Sequence, residues 1–299
     1  MLPSTGLTGD RKSNTREERI KYLIVTEGMV SESNYFRMVS ENVPDTVKGP
    51  MVDVVVLSRY GLQGGYSDPC RLFRLTRDYL RMLETGEYTV DLLVGRVLES
   101  FYRVRSPKKH DINELKTKLE RALSESGYTG WNGIVDASAA FDVCLRYLDE
   151  KYGVKNLKLV EDKIEFHRNM DKVCIVIDRD KSDSRDTNRY CRFLDACTEE
   201  GYLAYVSNPR FELWSVMHFD ISGDVEKLRD PIMCEPALVR LCGQHQIGKK
   251  TNYSKYASRI GLAIENSERF ENDPKRLESI PGTNLGKLMK MLGFRKKSE

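Results

Sequence analysis

No two of the seven cysteines are spaced as Cys-x-x-Cys, so the sequence offers neither a zinc ribbon nor a thioredoxin-type redox site. Their number is odd. Cys174 lies in an apolar run, and Cys191 and Cys197 lie in a helical pattern. They suit small buried hydrophobes in a reducing compartment. No apolar run approaches the roughly 20 residues of a membrane span. The opening stretch MLPSTGLTGDRKSNTREER is polar and carries no signal-peptide core. A Gly-x-x-x-x-Gly-Lys-[Ser/Thr] loop is missing, which excludes a P-loop ATPase. Internal repeats and low-complexity stretches are missing too. Charge of one sign is not in excess: 48 Lys and Arg stand against 45 Asp and Glu, a balance that argues for no particular partner. The expectation is a soluble cytoplasmic protein without a membrane segment.

What is present is a chain of 299 residues, 40% apolar, enough for one large domain or two modest ones. IKYLIVTEG (20–28) is short, apolar and β-branched, and reads as a buried strand. SESNYFRMVSENV (31–43) follows as a helix capped by Ser31 or Ser33. MVDVVVLSR (51–59) is a second strand, and YGLQGGYSDP (60–69) a Gly-rich loop with Pro69 opening a helix to about Glu84. Residues 89–104, 112–126 and 135–153 read as amphipathic helices uninterrupted by strands. KVCIVIDRD (172–180) resumes the strands. TNRYCRFLDACTEEG (187–201) is a helix closed by Gly201, YLAYVSNP (202–209) a strand, and FELWSVMHF (211–219) a helix. The remainder reads as helix over 224–243, 251–268 and 283–292. Strands alternating with helices predict an α/β fold with a mostly parallel sheet, divided as a flexible N-terminus (1–18), a core (19–84 and 154–222), a helical insertion (85–153) and a helical C-terminal region (223–299).

In such sheets ligands bind beyond the carboxyl ends of the strands. Glu27, Asp178 and the 207–212 segment all fall there. Asp178 and Asp180, two apart on an extended segment, point the same way and could share a divalent cation; Mg²⁺ takes one or two carboxylates and keeps several waters. Glu27 could complete the shell or act as acid or base. Arg179 would face the other side and pair structurally. A strand running into a solvated acidic loop would look similar. Glu212 is a fourth candidate, and equally a helix-N-terminal Glu favoured by the dipole. Phe211 and Trp214 read as core. His218, one turn from Trp214, is either a hydrogen-bonded structural His or a substrate contact. GQHQIGKKTNYSKY (243–256) interleaves basic and aromatic residues, as phosphate-backbone binders do; Lys249 and Lys250 are its candidate phosphate contacts.

YLIVTEG followed by a helix, with IDRD ending a later strand, resembles the Toprim domain. LIVTEGMVSESNYF (23–36), VCIVIDRD (173–180), AYVSNPRFELWSVMHF (204–219) and, more weakly, PGTNLGKLMKML (281–292) resemble the RloB family of bacterial defence proteins, related to an abortive-infection component. The resemblance implies a Toprim-like fold and Mg²⁺- or Mn²⁺-dependent phosphodiester chemistry on nucleic acid, RNA such as tRNA or DNA, in anti-phage defence. It gives Glu27 the role of acid or base and metal ligand, and Asp178 and Asp180 that of metal ligands. It also implies an AAA/ABC-type ATPase partner; a homodimer is a further expectation. The turn reads EGMVSES where relatives often carry EGxxTE, and the insertion separates Glu27 widely from Asp178. A non-catalytic nucleotide- or partner-binding module of a defence complex is the alternative, and a primase-type nucleotidyl transferase a more distant one.

Overall fold

A computed structural model of the chain describes residues 20–28, 31–44, 52–56, 69–104, 111–128, 130, 133–159, 166–179, 186–242 and 254–296. The expected N-terminal arm lies outside them. Four strands run parallel: β1 (Ile20–Thr26), β2 (Val52–Val56), β5 (Lys172–Asp178) and β6 (Leu203–Asn208). With the antiparallel β7 (Gly282–Thr283) they form one sheet in the order β2-β1-β5-β6-β7. β1 and β5 are central, which explains why both are continuous apolar runs: each face of each strand is covered.

Alternation along the strands sorts side chains onto two faces. Tyr22 and Ile24 of β1, Cys174 and Val176 of β5 and Tyr205 of β6 point to one face. There they meet α1 (Ser31–Glu41), α7 (Phe211–Val216), α8 (Cys234–Cys242), α10 (Ile260–Ser267) and α11 (Leu285–Met291). Leu23, Val25, Val173, Ile175, Ile177 and Val206 point to the other, against α2 (Pro69–Thr85) and α6 (Asp186–Glu199). Gly201, at φ 72°, ends α6 in the left-handed conformation its position predicts. Among the described residues no helix is long and apolar enough to cross a membrane.

The stretch between α2 and β5 builds a third core of its own from α3 (Val90–Val104), α4 (Asp111–Glu125) and α5 (Ala137–Tyr152), centred on Leu93, Val97, Leu119 and Leu148. Strands do enter here. β3 (Tyr88–Thr89) pairs antiparallel with β4 (Ile134–Val135), too short for any alternation to be read in the sequence. Asp136 caps α5, accepting from the amides of Ser138 and Ala139 at 2.9 and 3.0 Å.

Residues 223–296 are less uniformly helical than their sequence suggests, and they belong to the main core. The expected helix over 224–243 breaks into 3₁₀ turns at Lys227–Arg229 and Pro231–Met233 before α8. Pro231 holds the preceding Asp230 extended at φ −83°, ψ 118°. A short α9 (Ser254–Ala257) precedes α10. Leu238, Ile264, Leu285 and Leu288 are fully buried on the first face, and β7 adds the edge strand. Asn284, itself buried, fixes that edge. Its side-chain oxygen accepts from the Val206 amide at 2.6 Å, and its side-chain amide donates to the Ala204 carbonyl at 3.0 Å. Replacing Asn284 by Ala leaves two β6 backbone groups without those partners. A loss of about 2–4 kcal/mol is expected, read as a lower urea midpoint at unchanged m-value.

Candidate active site

The register of β1 against β5 builds the site. Thr26 lies opposite Val176, and the next amide, Glu27, donates to the Val176 carbonyl at 2.9 Å. Glu27 returns the link: its Oε2 accepts from the Asp178 amide at 3.0 Å. Two residues 151 apart in sequence are thus held side by side at the strand tips. Asp178 continues the 174, 176 series and so faces α1 and α7. Arg179 takes the opposite face, as alternation predicts. It is buried, stacks over the Tyr190 ring at 5.0 Å and pairs with Glu278 at 3.0 Å.

The turn after β1 is held by hydroxyls. Thr26 and Ser33, both buried and 2.9 Å apart, each donate to the Gly28 carbonyl, at 2.8 and 3.1 Å. This pins the first turn of α1 over the strand tip and carries Glu32 back across the chain. A Cβ at Gly28 would land on the Glu32 carboxylate. A side chain here would have to displace that acid, at a residue whose φ is not in the left-handed region.

From the other side comes α7, whose first residues follow β6 after Asn208-Pro209. The Phe211 amide donates to the Asp178 carboxylate, and Glu212 is in the first turn, half-buried. Glu27, Glu32 and Glu212 therefore all lie near enough to Asp178 to act on its carboxylate by charge. Loss of water raises the Asp178 carboxyl well above the usual carboxylate range. The charges of Glu32, then Glu27, then Glu212 push the same way, and the Phe211 amide opposes them.

Glu32, the largest of the three charges acting on Asp178, belongs to the EGMVSES turn but was not among the site residues read from the sequence. The only signal for it was position: an acid in the first helical turn directly after the Glu-Gly. Asp180, Lys249 and Lys250 lie outside the described residues. His218 requires a correction. Expected among the substrate contacts, it is fully buried, and both ring nitrogens are engaged within the protein. Nδ1 is 3.0 Å from the Trp214 carbonyl, which can only accept, so Nδ1 carries the proton; Nε2 then accepts from the Tyr35 hydroxyl at 3.1 Å. Burial lowers its pKa to about 3, keeping it neutral. Tyr35, Trp214 and Tyr256 meet it edge-on. It braces α7 against α1 and does not reach the carboxylates.

Among the described residues no three His, Cys, Asp or Glu side chains converge so as to hold a metal ion by themselves. A closed protein cage is not formed by these groups. Mg²⁺ does not need one, since one or two carboxylates plus water suffice. Crowded like charges around a desolvated Asp178 are what such a cation relieves, so the donor set fits a water-rich divalent site with Glu27 and Asp178 as its protein ligands.

A family model described as RloB-like protein matches residues 22–292, and the chain belongs to the RloB-like family. No curated protein and no solved structure matches it.

Two predictions follow from these charges. Because the folded Asp178 binds its proton more tightly than the unfolded chain does, its contribution to stability is full below about pH 4 and is lost as pH rises through the folded pKa. Neutral His218 acts oppositely: its contribution is present above about pH 6.5 and is lost as pH falls toward its folded value. Asp178→Asn is therefore expected to melt higher than the unaltered protein at pH 8 without metal, with the gap closing toward pH 4, and to lose any further rise on adding Mn²⁺. Gly28→Ala must displace the Glu32 carboxylate. About tenfold weaker Mn²⁺ binding is expected by titration calorimetry, and unchanged affinity would show that Glu32 stands apart from the site.

Proposed function

We propose that this RloB-like protein is a divalent-metal-dependent phosphodiesterase that cuts nucleic acid in bacterial anti-phage defence. The observation carrying this reading is the acidic charge of Glu27, Glu32 and Glu212 acting on a desolvated Asp178 at the carboxyl end of a central parallel strand, with the Asp178 proton held abnormally tightly. Ligands of open α/β sheets bind at such ends, and perturbed titration clusters at functional sites.

In this reading Glu27 and Asp178 hold Mg²⁺ or Mn²⁺, joined by Asp180 if the family resemblance carries through. The bound cation would polarise a scissile phosphate and offset the charge developing on its oxygens. The chain's own groups supply the rest. Asp178 would hold a cation only in its ionised form, because ligating carboxylates must be ionised. The Phe211 amide fixes the Asp178 carboxylate so that it need not reorient during reaction. Glu27, held at the strand tip by the Asp178 amide, is the group placed for proton transfer at the attacking or leaving oxygen. Glu32 and Glu212 keep the site negative, so that it remains empty of phosphate until a cation is bound. An AAA/ABC-type ATPase partner would belong to the same defence role.

A second reading, a non-catalytic module that binds a nucleotide or partner through the same acids, is favoured by the missing three-ligand set among the described residues. One experiment separates the two. The purified protein and Asp178→Ala are incubated with total tRNA, single-stranded DNA and duplex DNA plus Mn²⁺. Cleavage is expected from the first and a loss of at least about 100-fold from the second. Equal cleavage by both would remove Asp178 from the chemistry, and no cleavage by either would favour the binding module.

A further inference from the structure

One turn of the C-terminal region reaches behind the carboxylate site. Residues 273–280 close on the 3₁₀ turn Arg276–Glu278, whose Leu277 is fully buried in the core that α2 and α6 cover. The Leu277 and Ile280 amides donate to the carbonyls of Asp273 and Arg276, at 2.9 and 3.0 Å. The Tyr190 hydroxyl of α6 donates to the Pro274 carbonyl. The Asn208 side chain, at the end of β6, donates to the carbonyls of Leu277 and Ile280 at 2.8 and 3.2 Å. The turn is thus tied to α6 and to β6 and makes a fixed point.

Glu278 extends from that point to the tip of β5. Its Oε1 accepts from the Arg179 guanidinium at 3.0 Å and from the Thr187 hydroxyl at 2.8 Å. The Arg179 side chain is only 3% exposed and that of Glu278 23%. A buried ion pair is a poor source of stability, since apolar side chains of similar volume often serve as well or better; fixing one arrangement of the chain is a role such pairs do fill. The location of this one matters. Asp178 is the last residue of β5 paired with β6, opposite Ser207, and β1 pairs with β5 only as far as Val176. Strand ends fray unless they are tied. Beyond Asp178 the chain is held by the Arg179 amide on the Ser207 carbonyl at 2.8 Å and by the Arg179 side chain on Glu278. The peptide plane joining 178 to 179 is rigid, so the setting of Arg179 orients the backbone from which the Asp178 carboxylate projects. The same turn holds Asn208, three residues before Phe211, whose amide contacts that carboxylate. A support in β5 and a support at the start of α7 therefore both trace back to residues 273–280.

We propose that Glu278 is a positioning residue of the carboxylate site: acting through Arg179, it sets the orientation of Asp178 toward a divalent cation. The inference rests on the phosphodiesterase reading for the purpose of that cation, and it adds a C-terminal residue to a site otherwise built from strand tips and helix starts. Glu278 meets Arg179 on the face opposite Asp178, so it touches neither cation nor substrate. What it supplies is an oxygen held where two donors meet, at the distance a glutamate side chain spans. Groups of this kind, bonded to a ligand's neighbour and not to the metal, commonly change metal affinity by about 10–100-fold when removed.

The test compares the full-length protein with Glu278→Gln, Glu278→Asp and Glu278→Ala. Glutamine keeps the length and an acceptor oxygen and loses the charge; aspartate keeps the charge and falls short by one methylene. Mn²⁺ affinity is read by titration calorimetry and stability by melting in EDTA. The control is Asp91→Leu/Lys116→Met, which removes a similarly covered ion pair, 2.7 Å long, between α3 and α4. Mn²⁺ binding is expected to weaken by about tenfold or more in Glu278→Asp and Glu278→Ala, and to stay close to that of the unaltered protein in Glu278→Gln and in the control. Affinity that follows the charge, lost in Glu278→Gln and kept in Glu278→Asp, overturns the proposal. So does affinity that simply falls with melting temperature across all four variants, unchanged affinity in Glu278→Asp and Glu278→Ala, or no Mn²⁺ binding by the unaltered protein. Should Glu278→Ala fail to fold, the contrast of aspartate with glutamine decides. Cleavage of total tRNA and of DNA with Mn²⁺ is scored in parallel. The expected pattern of Mn²⁺ affinities with no cleavage by any form sinks the phosphodiesterase reading and leaves the positioning role standing. Cleavage by the unaltered protein, with Mn²⁺ affinity unmoved in the Glu278 variants, does the reverse.

Discussion

Everything in this protein depends on the parallel pairing of β1 with β5. Five residue pairs, from Tyr22 with Lys172 to Thr26 with Val176, join segments separated by half the length of the chain. Closing a long loop costs entropy that grows only slowly with its length, and the insertion offsets part of that cost by folding around its own core. The seam is also pinned at its start. Asp171, buried, accepts from the amides of Lys21 and His167 at 2.9 and 2.7 Å. A slip of one residue would turn Asp178 to the α2 and α6 face and Arg179 toward the acids. Fixing the start therefore fixes the chemistry at the tip.

That tip works against stability. Acids acting by charge on a desolvated Asp178 are a structure no fold needs for its own sake. Charges at functional sites commonly impose such a cost, which the surrounding packing must bear. Here the packing is visible: Tyr35 meets Phe211, Trp214 and the neutral His218 edge-on, which locks α7 to α1, and these helices carry Glu212 and Glu32.

Much of this was legible in the residues. Alternation placed Asp178 and Arg179 on opposite faces, and the βα order put Glu27 and Glu212 at strand ends. Glu32 was not legible, because its place depends on how the first turn of α1 folds back over Gly28, a relation no period of 2 or 3.6 expresses. The spacing of Trp214 and His218 showed that they share a helix face, but not that every side of that face is covered. Two-residue strands such as β3, β4 and β7 leave no periodic signature. The helix break at Pro231, by contrast, was written in the sequence, and the apolar pattern around it masked the signal.

Asn284 and its neighbours add a consequence in time. The Asn208 side chain, just ahead of α7, donates to the carbonyls of Leu277 and Ile280 at 2.8 and 3.2 Å, and β6 leans on Thr283 and Asn284. During translation β1, β5 and β6 all leave the ribosome before these residues do. A nascent chain can thus hold its central strands together while the supports of α7 are still being made, and α7 gains those supports only once residues 277–284 have been added.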